Sequence, residues 1–282
     1  MEGHPVRDLL VPQPLRGASL VCLPKNPLPA FTSKPPSNTH RNGVFGGIHI
    51  NGPASAPYNH DLGVLLLSDW THETTDVLWE KARTDGSITL NTGLINGTNN
   101  FNGTGSRHEM FFTPNEAHRI RLINTALDTH WAVTLDKHTM KVIAADFVSI
   151  DPFETEVLSI GIGQRYDVII NATDAAKGDY WFRAIPQTAC SSHEQGDNIK
   201  SIVRYSRDSH AEPGTTVLAN VPADCLDVPV ASLVPSLRLD AGEVSIKQTK
   251  EFALDVPEGV WKWKIDGESF YSDWGYPSEY SS

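Results

Sequence analysis

From residue 108 onward, apolar and polar positions alternate with a period of two. Met110 and Phe112 alternate with Phe111 and Thr113, and His118, Ile120 and Leu122 with Arg119, Arg121 and Ile123. That period sends successive side chains to opposite faces of a strand. The same texture predicts strands over 131–135, 141–145, 156–160, 166–171, 180–184 and 201–205. Turn signals such as Thr113-Pro114-Asn115, Asp151-Pro152 and Lys177-Gly178-Asp179 separate them. Short strands spaced by about 8–12 residues predict an antiparallel sandwich or barrel. Upstream, 62–67 reads as a buried strand. Thr74 or Thr75 is placed to cap a short helix over 76–83, with Val77, Leu78 and Ala82 inward.

The flanks read differently. Residues 1–42 hold 8 of the 19 prolines and follow neither period, which predicts an irregular segment. At Gly43 the character changes: Phe45, Ile48 and Ile50 sit among glycines and run into the turn Asn51-Gly52-Pro53. Residues 207–250 lose the alternation and gain Pro213, Pro222, Pro229 and Pro235, the composition of a linker. Strand character returns over 252–256 and 260–265. Two or three strands cannot bury a core alone, so the expectation is that the chain stops inside a domain.

Composition agrees with a globular, turn-rich chain: 39% of the 282 residues are hydrophobic and 20% charged, with 21 glycines and 19 prolines. A net charge of -11 without a Lys/Arg block offers no footprint for nucleic acid or an anionic membrane. No apolar run approaches the ~20 residues of a membrane-spanning helix. Near the N-terminus, Leu9-Leu10-Val11 is interrupted by Pro12 and Pro14, so no signal peptide is visible. Asn96, Asn102 and Asn171 each begin an Asn-x-Thr glycosylation triplet. Three cysteines, Cys22, Cys190 and Cys225, are too few for a disulfide scaffold. There is no Gly-x-Ser-x-Gly, phosphate loop or dinucleotide fingerprint, and no pair of carboxylates spaced for acid/base work.

A series of motifs resembles fungal laccases of the ascomycete type, which are multicopper oxidases. In order they are Gly46-Gly47-Ile48-His49-Ile50-Asn51-Gly52-Pro53, Leu67-Ser68-Asp69-Trp70, Gly93-Leu94-Ile95-Asn96-Gly97 and Arg119-Ile120-Arg121-Leu122-Ile123-Asn124. Val142-Ile143-Ala144-Ala145-Asp146, Gly163-Gln164-Arg165-Tyr166-Asp167-Val168 and Gly178-Asp179-Tyr180-Trp181-Phe182-Arg183 follow, then Trp263-Lys264-Ile265-Asp266-Gly267 and Asp273-Trp274-Gly275. The resemblance implies an all-β, cupredoxin-like Greek-key β-sandwich. It places residues 43–58 at the tail of a first cupredoxin domain, 59–206 as a complete second domain, 207–250 as a linker and 251–282 at the start of a third. It further implies extracellular location and an activity that takes single electrons from phenols and reduces O2 to water.

The resemblance also implies copper, held in the family by His-x-His pairs and a His-Cys-His segment. None of these occurs among the eleven histidines here; the two nearest in sequence, His130 and His138, are eight residues apart. No catalytic, cofactor-binding or metal residue is therefore assigned, no copper is expected on this chain, and a truncated, inactive product is the leading expectation. Cys190 and Cys225 match family cysteines that pair as a disulfide. The competing reading for Cys190 is a blue-copper site with His138, His193 and Gln195 as a conceivable axial group, because such a site needs a thiolate and two imidazoles. The family's phenol-pocket acid falls near Asn99 to His108, which holds no Asp or Glu; Glu109 follows in the next strand and receives no role. His118 and His130 are read as packed or hydrogen-bonded, and Arg119 and Arg121 as a solvated or domain-facing strand side. A further alternative is a non-catalytic cupredoxin-like module that associates through exposed domain-interface surfaces.

Overall fold

The two-residue alternation folds into two facing sheets. The computed structural model describes residues 19–21, 43–85, 88–173, 178–217, 220–240 and 242–269. In chain order its strands are β1 (Ser19–Val21), β2 (Gly47–His49), β3 (His60–Trp70), β4 (Thr89–Leu90), β5 (Thr92–Ile95), β6 (Asn100–Phe101) and β7 (Thr104–Gly105). Next come β8 (Glu109–Phe111), β9 (Ala117–Asn124), β10 (Trp131–Leu135), β11 (Met140–Ala145), β12 (Val148–Thr155), β13 (Leu158–Ile160) and β14 (Arg165–Asn171). The last are β15 (Tyr180–Pro186), β16 (Ser192–His193), β17 (Lys200–Arg204), β18 (Phe252–Asp255), β19 (Lys262–Ile265) and β20 (Glu268–Ser269). A single α-helix among the described residues, α1 (Thr75–Asp85), follows β3.

One sheet runs β13-β10-β15-β17-β8 and the other β12-β11-β14-β9-β3-β5. The chain crosses between them from β8 to β9, β9 to β10 and β10 to β11. Neighbours in a sheet are therefore distant in sequence: β9 pairs antiparallel with β14 and parallel with β3. Leu65, Leu67, Ile120, Leu122, Val168 and Ile170 face Trp131, Val133, Tyr180 and Phe182 across a core in which each is at most 2% exposed. Gly93 in β5 is needed where the sheets close: a Cβ there would lie 2.6 Å from Cη2 of Trp131.

Several expectations are corrected. The irregular reading of 1–42 fails at β1, which pairs antiparallel with β2; the rest of that segment lies outside the described residues. Asp151-Pro152 is inside β12 rather than a turn, tolerated because β12 is an edge strand where a missing N–H costs no ladder bond. In α1, Leu78 is buried but Val77 is 47% exposed. Arg119 and Arg121 are not solvated: each is 1% exposed, because β9 is central and Tyr58 and Asp61 close over that face. Burial of a guanidinium requires a partner, and Asp167 on the neighbouring β14 supplies it to Arg119 at 2.5 Å, while Arg121 pairs with Asp61.

The segment read as a linker packs against the sandwich. Its first part crosses β17 and β15, where the Ala211 carbonyl accepts from Arg204 of β17 and the Thr215 carbonyl from Arg183 of β15. Its second part buries Val228 and pairs with the β12 edge through the Asp151 N–H to Val234 and the Ser236 N–H to Ser149. Beyond it, β18, β19 and β20 form a separate three-stranded sheet.

Candidate functional site

The imidazoles are distributed over the sandwich. His60 at the start of β3 bonds Glu116 and stacks on His118, ring centres 4.9 Å apart. His118 is fully buried, and burial, reinforced by His60, holds it below the ordinary imidazole value against the pull of Glu116. His108 is likewise lowered by burial, against Glu109. His130 lies 3.2 Å from the Asp227 carboxylate on the packed segment. His49 lies 3.7 Å from Asp61, and His72 bonds Asn91. His4, His40 and Cys22 lie outside the described residues.

The trio His138, Cys190 and His193 is not brought together. His138 caps the Leu135 end of β10, with its N–H on the Leu135 carbonyl, Nδ1 on the Asp136 carbonyl and Nε2 on the Tyr205 hydroxyl at 2.8 Å. Cys190 belongs to the other end, where the Gln187 N–H reaches the His130 carbonyl, and His193 reaches the Thr129 hydroxyl there. The length of β10, about 13 Å of strand, separates the two ends. Cys190 is joined to Cys225 by a disulfide, Cα atoms 6.2 Å apart, so its sulfur is no thiolate. Gln195 donates to Asn102. Among the described residues no group of three or more His, Cys, Asp or Glu is placed to hold a metal ion. Copper needs converging imidazoles and, for a blue site, a thiolate; the described donors do not fit it.

Glu109 is engaged too. Its carboxylate accepts from Arg204 at 2.6 Å, a bond that holds it below the usual carboxylate range. Asn96 and Asn102 occupy left-handed turn positions (φ 48° and 50°) and Asn171 ends β14; all three are exposed.

Asp69 forms a polar site at the end of β3. It is 7% exposed, and its Oδ2 accepts from the backbone N–H groups of Leu127 at 3.1 Å and Asp128 at 2.8 Å and from the Thr129 hydroxyl at 3.4 Å. It also lines a half-open cavity of about 440 Å³. The sequence offers one signal for it: a carboxylate soon after the apolar run Val64-Leu65-Leu66-Leu67.

Residues 61–208 match the family model for the multicopper oxidases. The chain belongs to the multicopper oxidase family. It is 43% identical over 238 residues to Laccase-1 of Botryotinia fuckeliana, an alignment covering 84% of this chain and 41% of that protein. Laccase-2 of the same organism is 39% identical over 250 residues, covering 85% and 42%. The crystal structure of laccase from Botrytis aclada matches with a TM-score of 0.82 at 36% identity, covering 94% of this chain and 48% of that one. Fet3p, a multicopper oxidase that functions in iron import, matches at 0.69 with 18% identity, a likeness of fold alone. The sandwich of this multicopper oxidase chain is thus the all-β, cupredoxin-like Greek-key fold. The chain spans less than half the length of these relatives. Among the described residues no helix is long and apolar enough to cross a membrane.

Proposed function

We propose that this chain is the central part of a laccase. Residues 59–206 are its complete second cupredoxin domain, 43–58 the tail of the first, 207–250 the linker and 251–282 the opening of the third. On this reading the full-length enzyme takes single electrons from phenols and reduces O2 to water at coppers held by residues outside this chain. The chain itself supplies scaffold and is inactive alone. One observation carries the proposal: 43% identity to a laccase over 84% of the chain coexists with described donors that do not converge. Extracellular location and glycosylation at the exposed Asn96, Asn102 and Asn171 belong to the same reading.

Purified chain loaded with Cu(II) tests it in two measurements. With catechol it is expected to take up no O2 beyond free Cu(II) under the same conditions, and its visible spectrum to lack the intense thiolate-to-copper band. Phenol oxidation by this chain alone overturns the inactivity. An intense blue band overturns the scaffold role, because it would show a copper–thiolate site on this chain.

A second reading is a non-catalytic cupredoxin-like module. It is favoured by one face of β18 and β19, where Phe252 pairs with Ile265 and Leu254 with Trp263, and all four are 45–70% exposed. Apolar surface of that kind marks an association site. The genomic sequence on both sides separates the two: His-x-His pairs upstream and His-Cys-His downstream support the laccase, and their absence supports the module.

A further inference from the structure

The cavity at the end of β3 has a chemistry that the laccase reading does not use. Phe45, Trp70, Leu94 and Leu127 supply apolar and aromatic wall, and among the described residues Asp69 is its only charged lining residue. All three bonds to the Asp69 carboxylate are made to Oδ2 and come from neutral donors; Oδ1 receives none from any described residue. Neutral donors orient a carboxylate without cancelling its charge, so the cavity retains a formal negative charge beside low-dielectric walls. A buried charge in that position favours a cationic partner.

The other polar groups point the same way. The Thr98 hydroxyl donates to the Ile95 carbonyl at 3.3 Å and the Thr125 hydroxyl to the Leu67 carbonyl at 3.0 Å. Asn99 is spent at both ends, with Nδ2 on the Thr92 hydroxyl and Oδ1 accepting from Arg107. Arg107, the cation bonded to Asn99 and not itself part of the lining, is committed to Asn99, Asn198 and Glu212. What the wall offers a ligand is the Asp69 acceptor, the Ser68 and Ser106 hydroxyls, and apolar and aromatic surface that includes the Trp70 ring, whose face attracts a cation.

We propose that this cavity binds an organic monocation: a primary ammonium group on a small aromatic or aliphatic body, with the ammonium on Asp69 and the body against Trp70 and Leu127. The site is independent of copper and of the laccase reading, since every residue it uses is in this chain.

Titration of the purified chain with phenethylammonium, followed by ligand-observed NMR, tests the site against two probes of similar shape, neutral 2-phenylethanol and anionic phenylacetate. Phenethylammonium is expected to bind saturably, about tenfold or more tighter than the alcohol, as a charge-assisted bond requires. Phenylacetate is expected not to bind. Asp69→Asn keeps an acceptor for the 127–129 loop and is expected to reduce the ammonium to the level of the alcohol. Ser106→Trp places bulk in the cavity from an exposed position without touching Asp69, and is expected to abolish binding of both; it decides the matter should Asp69→Asn fail to fold. The proposal is overturned by no saturable ammonium binding, by equal affinity for the ammonium and the alcohol, or by wild-type affinity in Ser106→Trp.

Discussion

His118 Nε2 accepts the backbone N–H of Thr113 at 2.9 Å, which fixes this fully buried ring as a neutral acceptor. Its Nδ1–H is then directed at the Glu116 carbonyl, 3.1 Å away, and the ring stacks on Phe112 with centres 4.3 Å apart. A proton on Nε2 would set N–H against N–H inside the sandwich. The pair therefore ties the β8–β9 connection to one protonation state.

Acid should weaken the fold through this ring. Its folded value is lowered by burial and by His60, whereas an unfolded imidazole titrates near 6.5. The unfolded chain then binds the extra proton first, so the stabilisation is complete above about pH 6.5 and is lost as pH falls. The slope is at most about 1.4 kcal/mol per pH unit for each such ring, and the similarly lowered His108 adds in the same sense. Urea midpoints are expected to fall between pH 7.5 and pH 5, with a shallower fall in His118→Gln. Equal midpoints at both pH values would contradict this.

Asp167 is the anion on which two buried guanidinium groups depend. Its side chain is 3% exposed; burial pushes its carboxyl up while Arg119 and Arg121 pull it down. Asp167→Asn leaves both arginines buried with their central countercharge gone. A loss of about 3–5 kcal/mol is expected in denaturant unfolding. Asp61→Asn, at a side chain 25% exposed that water can reach, should cost less. The reverse order would sink the assignment.

Gly93 tests packing rather than charge. An added Cβ would stand 2.6 Å from Trp131 Cη2, 3.0 Å from Ile199 Cδ1 and 3.1 Å from the Ser68 carbonyl oxygen. None of these is the end of a mobile chain, because Trp131 and Ile199 are core residues at most 1% exposed. Gly93→Ala is expected to lower stability by about 1–3 kcal/mol through overpacking, and an unchanged melting curve would show that the sheets have slack there.

The sandwich was legible because strand periodicity is local: Ile120 and Leu122 announce their face within one strand. What escaped depends on pairing across distance. The prolines of 1–42 mask β1, whose partner β2 lies beyond Gly43. Arg119 and Arg121 have the pattern of a polar face, and only the placement of Asp167 and Asp61 opposite them makes that face buried. Asp151-Pro152 carries a turn signal that an edge strand overrides. The Asp69 site joins residues 58 to 60 positions apart, so beyond a carboxylate following an apolar run nothing local marks it. The Cys190–Cys225 pairing was suggested by the family resemblance; the periodicity of the flanking residues does not specify it.

That disulfide predicts how the packed segment opens. It closes a separation of 35 residues and sits amid weak anchors: the Ala189 N–H on the Ala223 carbonyl, Gln164 and His130 on Asp227, and the two bonds from 234–236 to β12. A link of this span contributes about 2–4 kcal/mol, mainly by restricting the unfolded chain. In Cys190→Ser/Cys225→Ser, global stability should fall by that amount. The segment should also open locally first, because its hydrophobic anchors among the described residues are few, the buried Val228 and the partly buried Leu233. Hydrogen exchange is expected to show the amides of Ala189, Asp151 and Ser236 losing protection in the variant while those within β9 and β14 keep theirs relative to the global limit. Unchanged exchange at Asp151 and Ser236 would mean that the β12 pairing holds the segment without the disulfide.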